Sequence, residues 1–411
     1  MEKTSQQLVV IGGGAAGFFC AVNAARLNPS LKVLLLEKSH QLLSKVKVSG
    51  GGRCNLTHSH SEISEMIRNY PRGAQFLKKA FHGFFTGDTV NWFEQRGVSI
   101  KREDDGRMFP VSNNSQSIID ALLKDANKYG VEVMLKATVH SVNKNPEGFS
   151  ITLQDKRVIH ADKVCIAVGG FSKDEQFDWI RTLGHKIISP VPSLFTFNAP
   201  SNSIKELMGL TVPKVRLKIV GSKLTQDGPI LITHWGISGP VVLKLSAWGA
   251  RELAATNYSF KVVINFLHGD GFNENTLQSF LDNQRANAAS QKISTKNFTS
   301  LPSRLWQYLL KTAGIDAQMR YADLPKKIEQ KLIKNLAAYE LDVKGKTSFK
   351  EEFVTAGGVD LSEIDHQTME SKLVPGLYFA GEIMDVDGVT GGFNFQHAWT
   401  SGFLAAKSIA S

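Results

Sequence analysis

The chain has 411 residues, 42% apolar and 21% charged, a soluble-globular balance in a sequence long enough for two or three domains. No apolar run approaches the ~20 residues that cross a bilayer, and the opening "MEKTSQQLVV" lacks the basic-then-apolar pattern of a secretion signal. Three cysteines with no C-x-x-C pair exclude a disulfide scaffold and a four-cysteine zinc site and fit a reducing cytoplasm. The formal charge is +10. Lys and Arg are spread along the sequence without a zinc-finger, RNP-like or basic-helix pattern, which argues against a nucleic-acid binder. The charge reads instead as a field that draws in an anionic cofactor or small-molecule substrate.

The first forty residues predict strand, turn, helix, strand. "QLVVI" has strand length, "GGGAAG" follows directly, Ala15 to Leu27 is Ala-rich and free of Pro, and "LKVLLLEK" is a second strand. A glycine loop, "SKVKVSGGGRCN", comes next. Residues 60–130 are polar and helical, and "SIIDALLKDANKYG" is an amphipathic helix stopped at Gly130. Short strands then surround an "NPEG" turn, suited to a small antiparallel crossover over a doubly wound sheet.

At "SPVPSLFTFNAP" three prolines mark a boundary. The expected organisation is a discontinuous cofactor-binding domain, 1–190 and 342–411, interrupted by an insert at 191–341 that is β-rich to about 270 and helical from about 271. The stretch "SFKEEFVTAGGVDLSEID" marks the exit from the insert, and a strand, a Gly/Asp loop and a helix close the chain. The fold class is α/β, a Rossmann-like doubly wound domain with a β-barrel-like plus helical insert.

Gly12-x-Gly14-x-x-Gly17 sits between a strand and a helix, with Glu37 at the end of the second strand. In that context Gly12 serves the tight turn, Gly14 the close approach of a pyrophosphate, and Gly17 the packing of helix on strand. The helix N-terminus offers free N–H groups to phosphates, and Glu37 offers acceptors to ribose hydroxyls. This motif alone does not separate FAD from NAD. Three later features favour FAD. The loop "SGGGRCN" stands where a nicotinamide enzyme would continue into its next βαβ unit; Arg53 can face phosphates or the flavin edge, and Asn55 can cap a helix or bond a ribityl hydroxyl. "KVCIAVGG" is a strand ending in glycines. "YFAGEIMDVDGVTGG" ends a strand at Gly381, supplies Glu382, Asp385 and Asp387, and opens a helix whose N–H groups can stabilise a reduced flavin.

The pieces "VVIGGGAAG", "LLLEK", "VSGGGRCNLTH", "THWGISGP", "EFVTAGGV" and "LYFAGEIMDVDGVTGGFNFQHAWTSG" together resemble the BaiN-like family of bacterial NAD(P)/FAD-dependent oxidoreductases across nearly the whole chain. The resemblance implies an FAD domain similar to that of glutathione-reductase-type flavoproteins. It implies FAD contacts at Gly12, Gly14, Ala16, Glu37, Lys38, Arg53, Cys54 and Asn55, with Gly52 beside them in the glycine loop. It implies further contacts at Val139, Gly169, Gly381, Glu382, Asp385 and the Gly392-Phe393-Asn394 turn. The implied activity is hydride transfer through flavin N5 from a donor, with NAD(P)H the candidate, to an organic substrate, as in reduction of a carbon–carbon double bond. The alternative is an FAD protein that binds or modifies RNA.

No catalytic side chain is evident. Cys54 has no second cysteine nearby and reads more simply as a small residue packed beside the cofactor. "THWGISGP" fails the serine-hydrolase elbow because Pro240 replaces the last glycine; His234 there is a candidate pocket residue. His397, in the last helix beside Trp399, reads as packed or capping before it reads as an acid. Asp385-x-Asp387-Gly388 lacks the rest of a calcium loop, so no metal is expected.

Overall fold

The computed structural model describes residues 6–347 and 354–411. The "SFKEEF" half of the expected exit and the opening "MEKTS" lie outside the described residues. The chain divides into two compact units, one running up to Ser193 and resuming in the described residues at Val354, the other from Leu194 to Thr347.

The first unit is built on a five-stranded parallel sheet in the order Leu377–Phe379, Lys163–Ile166, Gln7–Ile11, Lys32–Leu36, Glu132–Met134. Gln7–Ile11 is central, and Leu8, Val9 and Val10 are wholly buried, as a strand covered on both faces requires. Strand order reverses on either side of it. The turn after Ile11 and the end of Lys163–Ile166 therefore flank the crevice where doubly wound sheets take their ligands.

The first helix, Ala15–Leu27, is buried on nearly every side because the last helix, Phe393–Ala410, packs against it. A side chain at Gly402 would stand 2.7 Å from the Ala16 carbonyl oxygen, so the helices meet backbone to backbone there. Phe19, Trp92, Phe93 and Trp399 fill the contact with tilted and edge-on rings. Val139–Asn145, Gly148–Leu153 and Val158–Ala161 form the small antiparallel sheet. Ile187–Ser193 pairs antiparallel with Val354–Val359.

The second unit holds a seven-stranded sheet, in the order Tyr339–Lys344, Ser259–Asn265, Thr211–Ile219, Thr225–Ile232, Gly236–Ser238, Thr196–Asn198, Lys346–Thr347. Among the described residues no ladder joins its two outer strands, so the part expected to be barrel-like is an open antiparallel sheet. Helices Glu274–Asn287, Ser303–Ala313 and Lys326–Ala337 share a core with it through Leu277, Trp306, Leu336 and Leu341.

The division shows an asymmetry hidden in the linear sequence. Residues 194–347 carry 20 Lys and Arg against 11 Asp and Glu, while the rest of the chain carries 28 against 27. The basic excess is concentrated in one unit, not spread along the chain as the sequence alone suggested. No helix among the described residues is long and apolar enough to cross a membrane.

Candidate functional site

The crevice is assembled from chain segments far apart in sequence. The turn at Gly12 lies against the backbone at Ala167, and a side chain at Gly12 would strike the Ala167 carbonyl. A side chain at Gly17 would strike the Gly12 carbonyl, which is why the helix seats so closely on its strand. Gly14 differs: a Cβ added there would meet nothing within 4 Å. It caps a thirteen-residue helix whose first N–H groups lack intrahelical partners.

Glu37 closes one end. Its carboxylate accepts from the Gly13 N–H and the Ser39 N–H, both at 2.8 Å. A carboxylate has about four lone-pair positions, so two remain for ribose hydroxyls. Ala137 donates its N–H to the Glu37 carbonyl at 2.9 Å, which brings the following Val139 to the same end. Lys38 points to solvent.

The glycine loop opens as helix Ser44–Gly52, which breaks at Ser49–Gly51. Gly50, Gly51 and Gly52 are left-handed, with φ of 58°, 69° and 83°, so three successive residues occupy a region that costs a side chain about 1–2 kcal/mol each. Side chains at Gly51 and Gly52 would meet nothing within 4 Å, whereas one at Gly50 would stand 2.9 Å from the Phe109 ring. The loop is tied to the dinucleotide-type turn by the Leu43 N–H, which donates to the Gly13 carbonyl at 2.9 Å. It is tied to helix Gln116–Lys128 by the Ser115 N–H on the Gly52 carbonyl at 2.8 Å.

Gly381 stands at the other side, where its Cβ would lie 2.7 Å from that of Ala16. Next to it Glu382 accepts from the Thr355 N–H at 3.0 Å and pairs with Lys45 at 2.7 Å. Gly169 and Gly170 border the same carboxylate; a Cβ at Gly169 would lie 3.9 Å from it. Gly392 caps the last helix. The Asn55 side-chain oxygen accepts from the Gly392 N–H at 3.0 Å and its amide donates to the Thr57 carbonyl at 3.1 Å. Asn55 thus takes the first of its two expected roles, a helix cap. Asn394 holds the preceding loop, donating to and accepting from the Gly388 backbone at 2.9 and 2.8 Å.

The structure therefore gathers Gly12, Gly14, Ala16, Gly17, Glu37, Gly52, Asn55, Gly169, Gly381, Glu382 and Gly392 around one crevice. Other expected residues are engaged by protein groups. Arg53, expected on phosphates or the flavin edge, pairs with Glu103 at 2.6 Å, and its guanidinium lies 4.0 Å over the Phe109 ring. Cys54 is wholly buried, and burial pushes its thiol up to about 12, so it is a protonated, packed side chain. The Phe393 ring stacks on His58 at 5.0 Å, and the Phe393 carbonyl accepts from the Tyr70 hydroxyl at 2.6 Å. Asp385 donates its backbone N–H to the Val359 carbonyl at 3.1 Å.

His397 is buried and bonded through Nε2 to the Gly381 carbonyl at 3.1 Å; burial lowers it to about 4, which keeps it neutral. His234 belongs to the other unit, where it is exposed and edge-on to Trp235. There "GISGP" is a strand end whose Gly239 turns into helix Pro240–Trp248 with proline at its first position.

Two participants escaped the sequence, and a third residue it named has a different part. Lys45 and Thr355 both hold Glu382, although Lys45 looks no different from Lys47 in the linear pattern. Asp387, wholly buried, is bonded by Arg72 through Nε and a terminal nitrogen and by the Ser193 hydroxyl at 2.7 Å. That arrangement is an ion-pair anchor for the C-terminal loop.

Comparison with known proteins agrees with this architecture. The sequence family described as "HI0933-like protein Rossmann domain" matches residues 6–408. The ribosomal RNA dihydrouridine synthase of Escherichia coli K12 is 31% identical, covering 98% of this chain and 97% of that one. The 3-dehydro-bile acid delta(4,6)-reductase of Clostridium scindens is 29% identical, covering 98% of each. Among solved structures, 3-ketosteroid delta1-dehydrogenase from Sterolibacterium denitrificans superposes with a TM-score of 0.53 at 12% identity, covering 99% of this chain and all of that one, a likeness of fold.

Proposed function

Because the chain belongs to the HI0933-like Rossmann-domain family, we propose that it is an FAD-dependent oxidoreductase that reduces a carbon–carbon double bond conjugated to a carbonyl. One observation carries the FAD part: Gly14, Gly51 and Gly52, where added side chains would meet nothing, border a crevice served by two helix N-termini tied together through Gly381. A nicotinamide site would need the first of those termini; a dinucleotide with a pyrophosphate in its middle and a ring that becomes anionic on reduction uses both.

The bound flavin supplies hydride chemistry. The chain supplies position. The N–H groups after Gly14 hold the pyrophosphate, the free lone pairs of Glu37 hold the adenosine ribose, and Glu382, fixed by Lys45 and Thr355, accepts from ribityl hydroxyls. The N-terminus of Phe393–Ala410 favours negative charge on the ring system. Neutral His397 and protonated Cys54 buttress the crevice walls.

The two relatives described above have names of one chemical kind. Saturating a uracil 5,6-bond and saturating a bond of a 4,6-dienone are both conjugate reductions: hydride goes to the electrophilic end of the unsaturated system (the β carbon, or the δ carbon of the distal bond of a dienone) and a proton to the adjacent carbon nearer the carbonyl. RNA uridine is the second reading of the substrate, favoured by the basic excess of the inserted unit. The test is an anaerobic titration of FAD-loaded protein with NADH and then NADPH, followed by assay of uridine-containing RNA and of a steroid dienone for the dihydro product. Stoichiometric bleaching by either nucleotide establishes that donor. A protein that takes up no FAD on reconstitution overturns the reading.

A further inference from the structure

The net +9 of the inserted unit is organised on its surface. On strand Thr211–Ile219, buried Val215, Leu217 and Ile219 alternate with exposed Lys214, Arg216 and Lys218, so these cations share the outer face of the sheet. Register sets Lys218 opposite Val263, and Lys261, two residues before Val263, lies on the same face. On helix Lys326–Ala337 the exposed Lys327, Lys331 and Lys334 fall at i, i+4 and i+7, one stripe.

Glu340 joins the two sets: it pairs with Lys334 at 2.7 Å and with Lys261 at 2.8 Å. Asp227 is engaged by both arms of the Arg216 guanidinium at 2.7 Å. Among the described residues no carboxylate lies within ion-pair distance of Lys214, Lys218, Lys327 or Lys331. Asp342, opposite Lys261 in register and on the same face, lies 4.0 Å from its ammonium. Helix stripe and sheet face thus form one band in which Asp227, Glu340 and Asp342 each face a cation and the ammonium groups of Lys214, Lys218, Lys327 and Lys331 remain.

We infer that this band, from the Lys327–Lys334 stripe across Glu340 to the Lys214–Lys218 face, docks the phosphate backbone of an RNA substrate. The inference rests on the RNA reading of the substrate. Neighbouring cations recur at roughly 6–7 Å along both strand and helix, which lets successive side chains address successive phosphates. Long flexible stems with compact charges suit a polyanion read by charge, not by base. A protein partner would want an aromatic or apolar centre; the exposed large hydrophobe at the edge of this band is Val220.

The test is fluorescence anisotropy with protein-free ribosomal RNA between 50 and 200 mM salt, comparing the parent with Lys218→Gln/Lys327→Gln/Lys331→Gln. All three positions are exposed, so folding and FAD content should be preserved and are measured alongside. The variant is expected to bind at least tenfold more weakly at low salt, with a salt slope shallower by roughly 2–3. A variant that binds with the affinity and slope of the parent overturns the docking surface while leaving RNA as substrate. A parent that binds no RNA at 50 mM salt overturns both, and reduction of the steroid dienone then still reports on the flavin reading.

Discussion

Lys45 and Glu382 are separated by 337 residues in the sequence and by 2.7 Å in the structure. Their ion pair fastens the glycine loop to the C-terminal strand end across the crevice. Lys45 is 45% exposed, so screening leaves the pair worth under about 1 kcal/mol to the fold. Its larger value is in orienting Glu382. Glu382→Gln should leave the melting temperature of the apoprotein nearly unchanged and weaken FAD binding about tenfold or more, the loss of a hydrogen bond to a charged group. Equilibrium titration of the apoprotein with FAD checks this.

Gly14 and Gly17 make a paired test of the dinucleotide turn. Gly14→Val fills space that the protein leaves open, so the variant should fold and purify without flavin. Gly17→Ala drives a methyl into the Gly12 carbonyl and should destabilise the fold by about 1–3 kcal/mol, with or without FAD. A Gly14→Val protein that retains stoichiometric flavin contradicts the assignment.

Cys54 should be inert. With its thiol at about 12 and its side chain wholly buried, it should resist alkylation at pH 8 in the folded protein, and Cys54→Ser should keep most flavin reduction. Its raised value also gives a sign. The unfolded chain releases this proton near the ordinary thiol value, the folded one far later, so the contribution to stability is present below about pH 9 and declines as pH rises beyond it. Loss of turnover in Cys54→Ser with FAD still bound would restore a role for the thiol.

His397 has the opposite dependence. Its value is depressed from 6.5 to about 4, so the unfolded chain takes up a proton first as the pH falls. The stability it protects is present above about pH 6.5 and lost as the pH drops through 4, by on the order of 3 kcal/mol. Denaturant unfolding at pH 7 and pH 5 should show the onset in the parent and a flatter profile in His397→Asn.

Arg72 guards a buried charge. Arg72→Met would leave Asp387, wholly buried, with only the Ser193 hydroxyl among these partners. The expected cost is about 3–5 kcal/mol, read by denaturant unfolding. Arg72→Met/Asp387→Asn should recover much of it, and a double variant as unstable as the single one would show that the charge is not the cause.

The parallel sheet, the first helix and the small antiparallel sheet were legible because periodicity and turn residues are local signals: "QLVVI" before "GGGAAG" admits few other structures. Asn55 as a helix cap was readable as one of two roles. The orientation of Arg53 was not, because Glu103 lies fifty residues away and the Phe109 ring it covers is brought near only by folding. Lys45 was invisible for the same reason, being distinguished from Lys47 only by a partner at the far end of the chain. The openness of the second sheet depends on which strands fail to pair, and strand patterns cannot show that. The charge asymmetry could have been counted from the sequence, had the boundary at Ser193 been known before counting.

Ile187–Ser193 and Val354–Val359 run side by side, with Ser193 opposite Val354. The first unit therefore brings the points where the chain departs and returns together as neighbours in a single ladder, like the two legs of a stem. A domain with such a stem is topologically whole without whatever is threaded between its legs. Its cofactor crevice can stay constant while the cassette carried on the stem is lengthened, recharged or exchanged.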